Sequence, residues 1–395
     1  MLSEQSVPVV RATLPAVGGA LDEITERFYA GMFAAHPELL RDLFNRGNQA
    51  TGDQRKALAG SIAAFAGALL EHPGTRPDAM LARIAHKHAS LGVTSEQYKV
   101  VHEHLFAAIA AVLGDAVTPE VARAWDEVYW LMANALIAVE ARLYQERGVA
   151  EGAVWRPMEI TGRRAETDDT VSFTLRPADG GEVTGFRPGQ YVSVQVTLPD
   201  GARQIRQYSL SAAPGRPEWR ITVKRVDGDP AGEVSGWLHS DAAAGDLVDV
   251  SAPFGDLVLP EGEGPLLLAS AGIGSTPMLA MLDHLAATAS RRQVTVVHAD
   301  RSPAGHAHAA ELRRLVGALP QASLHLWYED PAGSDARQGR ADLTALDLPA
   351  GLTAYLCGPL PFMRAARADL LGAGVPASDV HYEVFGPDLW LGAAA

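Results

Sequence analysis

Apolar residues recur at helical spacing through about the first 147 positions and switch to short alternating runs near Trp155, so the pattern alone divides the chain. Leu21, Ile24, Phe28 and Phe33 sit at near-helical intervals. Pro37 suits a first helical position after His36, and Gly52-Asp53 precede a helix carrying Leu58, Ile62, Phe65 and Leu69. Met80, Ile84, His88 and Leu91 follow i, i+4, i+8 and i+11 and share one stripe, predicted to be buried, while His86, beside Lys87, turns toward solvent. Gly92 ends that helix, Thr94-x-x-Gln97 reads as a capping box opening the next, and Tyr98 falls on its first turn. A last long helix, from Pro119 to about Gly148, carries Trp125, Tyr129, Met132, Leu136 and Leu143 on one face. Glu140 lies at the flank of that face, as either a rim residue reaching water or a buried carboxylate that needs a donor.

Beyond Trp155 the runs VSFTLRP, YVSVQVTLP, RQYSLSAAP and WRITVKRV recur at the spacing of an antiparallel barrel. From Pro265 the pattern becomes strand, glycine loop, helix, with LLLASAGIGSTPMLAML, then VTVVHADR and AYLCGPLPFM as later strands. The predicted fold is therefore multidomain: all-α over 1–147, an antiparallel β-barrel over 150–260, and an α/β domain with a parallel sheet over 261–395. The connection ARLYQERGVAEGAVW has only two glycines, which predicts docked rather than drifting domains.

The net charge of −14 argues against a nucleic-acid surface, where Lys and Arg must neutralise phosphates. The single cysteine, Cys357, excludes an intrachain disulfide. With a start, MLSEQSVPVV, that lacks basic and apolar signal regions, it suggests the cytoplasm. The uncharged run Gly264 to Leu282 is 19 residues long, but GIGSTP breaks it at its centre, so no membrane span is expected. A lone histidine on an apolar face, such as His88, is more often a satisfied core residue than a ligand, and a lone Cys357 more often a buried thiol. His102, His104, His306 and His308 read as solvated-face residues rather than metal ligands.

The helical part resembles a globin, more narrowly that of bacterial flavohaemoglobins. The likeness rests on Phe28-Tyr29 followed by Met32-Phe33, PELLRDLFN ending in Phe44-Asn45, GDQRKAL with Gln54 and Leu58, KHASLGV with His88, EQY with Tyr98, and Glu140-Ala-Arg-Leu-Tyr144. That resemblance implies haem b with His88 as the proximal iron ligand, Tyr29 and Gln54 on the distal side, Leu58 crowding the iron and Phe44 against the porphyrin. A haem histidine must donate its second ring N–H, and a carboxylate acceptor makes the imidazole a stronger donor to iron. Tyr98 and Glu140 resemble the family's catalytic pair in that role.

Arg206-Gln207-Tyr208-Ser209 resembles the flavin signature of the ferredoxin-reductase superfamily. On a strand Arg206 and Tyr208 share a side, so a guanidinium can meet a pyrophosphate while a ring stacks on an isoalloxazine. Tyr191, and Gly232, Val234 and Ser235 at a helix start, are similar to the rest of an FAD site. Gly272-Ile273-Gly274-Ser275-Thr276-Pro277 resembles the NAD(P)H loop, and Cys357-Gly358-Pro359 the segment facing the nicotinamide. Asp300-Arg301 leave NADH and NADPH both open. Val384, Phe385, Gly386 and Pro387 match the segment that folds back over the flavin in flavohaemoglobins. Glu383 would lie near the globin and Lys87 would be its redox-tuning charge partner; the tail DLWLGAAA departs from the family. The resemblance implies a nitric oxide dioxygenase that converts NO and O2 to nitrate with electrons from NAD(P)H through FAD, monomeric and without an obligatory protein partner. The alternative is a flavin reductase of soluble acceptors joined to an oxygen-binding or oxygen-sensing globin.

Overall fold

The structure, a computed structural model, describes residues 1–387; the tail DLWLGAAA lies outside the described residues. Packing divides the chain into two units, one formed by Met1–Trp155, Val196–Ile205 and the segment from Gly386, the other by Arg156–Gln195 and Arg206–Phe385. The order expected from the sequence is the order found: α-helices, an antiparallel sheet, then a parallel sheet among helices.

Seven α-helices build the first unit: α1 (Ser6–Ala35), α2 (Pro37–Asp42), α3 (Arg46–Ala50), α4 (Asp53–Glu71), α5 (Asp78–Leu91), α6 (Ser95–Leu113) and α7 (Pro119–Arg147). Their ends follow local chemistry. Pro37 opens α2, and the Asn45 side chain caps α3 by accepting from the Asn48 amide. Gly92 closes α5 at φ 74°, and a Cβ there would also stand 2.9 Å from the Gly152 carbonyl oxygen, so glycine is required twice over. The predicted capping box forms: the Gln97 side chain accepts from the Thr94 amide at 2.9 Å while Thr94 caps the Gln97 amide. Helix α1 packs on α4, α6 and α7, and α5 on α7, around Ile24, Phe28, Met32, Phe65 and Leu81.

One expectation about α5 needs correction. Its fully buried positions are Leu81, Ala85, Ala89 and Ser90, the first three one residue beyond the predicted stripe, while Met80, Ile84, His88 and Leu91 are half-buried. Periodicity fixes which residues share a face and not what covers it. His86 is also half-buried instead of solvated.

After the helices, β1 (Trp155–Thr167), β2 (Thr170–Pro177), β3 (Tyr191–Thr197), β4 (Arg203–Ser209) and β5 (Trp219–Lys224) precede α8 (Glu233–Ser240) and β6 (Leu247–Ser251). The strands lie in the order β4-β3-β6-β1-β2-β5, and an antiparallel bridge between Leu210 and Ile221 joins the two ends, which closes the barrel. Next come β7 (Leu266–Ala271), α9 (Ser275–Ala287), β8 (Val294–Asp300), α10 (Ala309–Gly317), β9 (Ala322–Tyr328), β10 (Arg337–Gln338), β11 (Thr353–Cys357), α11 (Leu360–Gly372) and β12 (Val380–Glu383). They form a parallel sheet in the order β10-β9-β8-β7-β11-β12. Every residue of β7 is buried, as suits a strand covered on both faces. Strand order reverses between β7 and β11, and open parallel sheets bind ligands beyond the carboxyl ends of strands at such a switch point. The uncharged run resolves into β7, its loop and α9, and no helix among the described residues is long and apolar enough to cross a membrane.

Candidate functional site

The first cluster gathers residues far apart in sequence. His88 Nδ1 lies 2.9 Å from Glu140 Oε1 and 2.9 Å from the Tyr98 hydroxyl, and Tyr98 donates to the same Glu140 oxygen at 2.6 Å. A carboxylate only accepts, so Nδ1 carries the proton and donates to Glu140. That tautomer leaves Nε2 as the nitrogen with a lone pair for iron. Glu140, predicted to lie at the flank of its face, is buried at 3% exposure. Burial and the adjoining Glu140 push the Tyr98 hydroxyl far above its ordinary range, so it remains a proton donor. Two α7 side chains pin the backbone under this cluster: Tyr129 donates to the Tyr98 carbonyl at 2.5 Å and Tyr144 to the Val93 carbonyl at 2.6 Å.

Tyr29 is buried in α1, its ring centroid 4.6 Å from Phe28, 5.6 Å from Phe33 and 5.9 Å from Phe44. Burial raises its hydroxyl well above the usual phenol range, opposed by the amides of Gln54 and, more loosely, Gln49. Gln49 escaped the sequence reading; its only signal is its place in NQATGDQ, five positions before Gln54. Leu58 and Phe44 are half-buried. Gln204 Nε2 holds the Phe44 segment by donating to the Arg41 carbonyl at 3.0 Å and the Phe44 carbonyl at 3.3 Å. These residues fit a haem: an imidazole with its outer nitrogen engaged, and half-buried apolar side chains on the same helical stripe for a porphyrin to cover.

In the barrel, Arg206 and Tyr208 alternate with Gln207, whose amide donates to Ser193 Oγ at 3.2 Å on β3. The Arg206 guanidinium is 20% exposed and lies 3.9 Å from Glu233 in the first turn of α8. Ser209 Oγ is buried without a hydrogen-bond partner among the described residues. Such a buried hydroxyl is costly unless a bound group satisfies it, which fits the flavin expected there. Tyr191 is buried and bridged to Phe254, and Val234 is fully buried in α8. A Cβ on Gly232 would meet Ser235 Oγ at 2.5 Å. The Ser235 hydroxyl accepts from the Val226 amide and donates to the Gly232 carbonyl, both at 3.2 Å, so it braces the loop.

At the switch point the two predicted nucleotide segments touch. A Cβ on Gly274 would stand 2.3 Å from the Cys357 carbonyl oxygen, and one on Gly358 3.0 Å from the Ala271 amide nitrogen. Gly272 has φ 53°, Thr276 Oγ1 donates to the Ile273 carbonyl at 3.0 Å, and Pro277 is buried in the first turn of α9. Ser275 Oγ is a second buried hydroxyl without a partner among the described residues, at a helix start suited to a phosphate. Pro359 precedes α11. Cys357 is fully buried, and burial with the nearby Glu383 charge pushes its thiol up. Glu383 is paired in register with Cys357. Lys87 donates to the Gly386 carbonyl at 2.6 Å, while Val384 and Pro387 are half-buried and Phe385 is 47% exposed.

The four histidines assigned to solvated faces lie elsewhere. His102 stacks on Phe106 at 4.4 Å with Nε2 2.7 Å from Asp126, and His104 is half-buried 5.7 Å from the His36 ring. His306 is buried, stacked on His298 at 3.9 Å with Nδ1 2.7 Å from the Tyr328 hydroxyl, and burial pushes it down to about 2, which keeps it neutral. His308 is buried as well. Each finds partners that sequence distance hides.

Residues 26–136 match the globin family, 157–258 the oxidoreductase FAD-binding domain and 268–368 the oxidoreductase NAD-binding domain. The flavohemoprotein of Chromobacterium violaceum is 42% identical, with 98% of each chain covered, and that of Rhizobium meliloti 41% identical over 99% of this chain and 100% of the other. Among solved structures, a flavohemoglobin of Malassezia yamatoensis with bound FAD and heme matches at 40% identity and a TM-score of 0.90, covering 98% of this chain and 100% of that one. The FAD/NAD-binding domain of a nitric oxide dioxygenase from Vibrio cholerae matches 59% of this chain and 99% of its own at 41% identity and a TM-score of 0.57. With a histidine–carboxylate–phenol cluster in one unit and flavin and nucleotide loops in the other, the chain belongs to the flavohemoproteins, oxidoreductases that join a haem globin to an FAD- and NAD-binding module.

Proposed function

We propose that this protein is a nitric oxide dioxygenase, converting NO and O2 to nitrate with electrons from NAD(P)H. The observation that carries this reading is the His88–Tyr98–Glu140 cluster. A carboxylate that accepts from Nδ1 gives the ring anionic character and makes it a stronger donor, which favours reaction over simple reversible oxygen storage. Bound FAD and haem supply what side chains lack: the flavin takes two electrons as hydride and releases them singly, and the iron is where O2 and NO meet. Each nitrate formed consumes one electron, so one NAD(P)H serves two.

The chain's own groups then have separate tasks. Tyr29, kept protonated by burial, donates a hydrogen bond on the distal side, with Gln54 beside it. Leu58 and Phe44 supply apolar walls. Arg206 meets the flavin pyrophosphate, Tyr208 its ring and Ser209 a ring acceptor, with Gly232, Val234 and Ser235 shaping the phosphate loop. Gly272 through Pro277 and Cys357 through Pro359 cradle the nucleotide, while Lys87 and Glu383 tune the transfer. The three segments correspond to 1–147, 150–260 and 261–395, acting as a monomer in the cytoplasm, where a lone buried thiol stays reduced.

A Tyr29→Phe protein tests this directly. It is expected to lose NO-dependent NADH consumption by on the order of 10²-fold, as when one donor to developing charge is removed, and to keep its NADH-dependent reduction of soluble acceptors. Unchanged NO consumption would instead favour a flavin reductase beside an oxygen-binding globin.

A further inference from the structure

We infer that His308 is a positioning residue for hydride transfer, a latch that holds the nucleotide-binding sheet in register with the flavin barrel. His308 sits in the left-handed region at φ 61°, which glycine and asparagine adopt far more easily, and it is only 5% exposed. Its ring is bonded at both nitrogens. Nδ1 lies 3.0 Å from Glu311 Oε2 and 3.5 Å from Glu166 Oε2, and Nε2 lies 3.0 Å from Thr222 Oγ1 and 3.3 Å from Ser172 Oγ. Glu166, Ser172 and Thr222 belong to β1, β2 and β5, so three barrel strands receive one side chain from the start of α10.

The contact continues to the flavin strand. Thr222 Oγ1 is 2.9 Å from Ser211 Oγ, two residues past Ser209. Arg220 on β5 donates to Glu311 at 2.9 Å and to Ser211 Oγ at 3.1 Å, and also reaches the Ser211 carbonyl. His308 therefore ties the loop after β8 to the end of the Arg206–Ser209 strand through one shared hydroxyl. A second tie, from Asp283 on α9 to the Ala213 amide at 2.8 Å and to Arg216 at 2.5 Å, fixes the same loop from the other side. Hydride passes by breaking a C–H bond of the dihydronicotinamide and forming an N–H bond on the flavin, its electron pair moving with it. That step depends steeply on separation. A backbone strain kept at a buried ring with four polar partners is what a register-setting contact requires.

The inference rests on the flow of hydride from nucleotide to flavin and not on the fate of NO, so its test contains no NO. In the full-length holoprotein, His308→Gly relieves the backbone strain while deleting the latch. Anaerobic stopped-flow reduction of the flavin by NADH is expected to slow by about tenfold or more, because displacements on the order of 1 Å can cost on the order of 10²-fold. NADH affinity should change little, the nicotinamide–flavin charge-transfer absorbance should fall, and amide exchange at Ser209–Ser211 should quicken. His308→Asn, which tolerates the same backbone and can donate to Glu311, should recover part of the rate. If His308→Gly does not fold, Thr222→Val removes the shared hydroxyl at constant shape and should show the same slowing. Flavin reduction, charge-transfer absorbance and exchange all at wild-type level in the folded variant would overturn the inference.

Discussion

Replacing His88 by alanine is expected to yield a folded protein without the Soret band of a histidine-ligated haem, while the flavin absorbance and NADH-dependent reduction of soluble acceptors remain. His88 is half-buried, its side chain 33% exposed, so removing it opens little of the core packed by Leu81, Ala85 and Ala89 on the same helix. What is lost is chemical: an imidazole whose Nδ1 is fixed by the buried Glu140 carboxylate and the buried Tyr98 phenol. Flavin chemistry belongs to the other unit and should persist. Absorption spectra of the purified variant, with thermal melting to establish folding, decide the point, and a normal Soret band would remove His88 from the iron.

The second large effect is expected at Glu140. Glu140→Gln keeps the shape and an acceptor for Nδ1 but removes the negative charge that gives the imidazole its donor strength. Tyr98 loses its charged acceptor at 2.6 Å as well, so the cluster weakens at two bonds together. The iron–histidine stretching frequency in resonance Raman spectra should fall, the ferric/ferrous potential should rise, and NO consumption should drop by about 10–100-fold, the range for losing such an outer partner of a metal ligand. Flavin reduction by NADH should be untouched. An unchanged stretching frequency would mean that the carboxylate does not act through the ring.

How far the sequence reveals this arrangement depends on how local each cause is. The end of α5 and the start of α6 are written in neighbouring residues, Gly92, Thr94 and Gln97, and periodicity alone finds them. The partners of His88 stand 10 and 52 residues away, and only the resemblance brings Tyr98 and Glu140 to it. The cover over the α5 stripe is not legible, because spacing cannot say whether protein or a bound ring covers a face. The burial of His308 is hidden for a related reason: its barrel partners Ser172 and Thr222 lie 136 and 86 residues earlier, and a polar residue whose partners are distant in sequence looks solvated. The switch point shows the opposite case, since parallel-strand order and two glycine loops together place the nucleotide segments at one edge. The bracing role of Ser235 carries no local signal of either kind, and Gln49 only its place five positions before Gln54.

The central claim is a single electron path, from nicotinamide through flavin to haem, within one chain. Its most direct test is the visible spectrum of the purified protein as NADH is added without oxygen. The account predicts that the flavin absorbance bleaches and the Soret band then moves to its ferrous position in the same sample. A flavin that bleaches while the Soret band stays ferric, or a yellow protein with no Soret band, would contradict it.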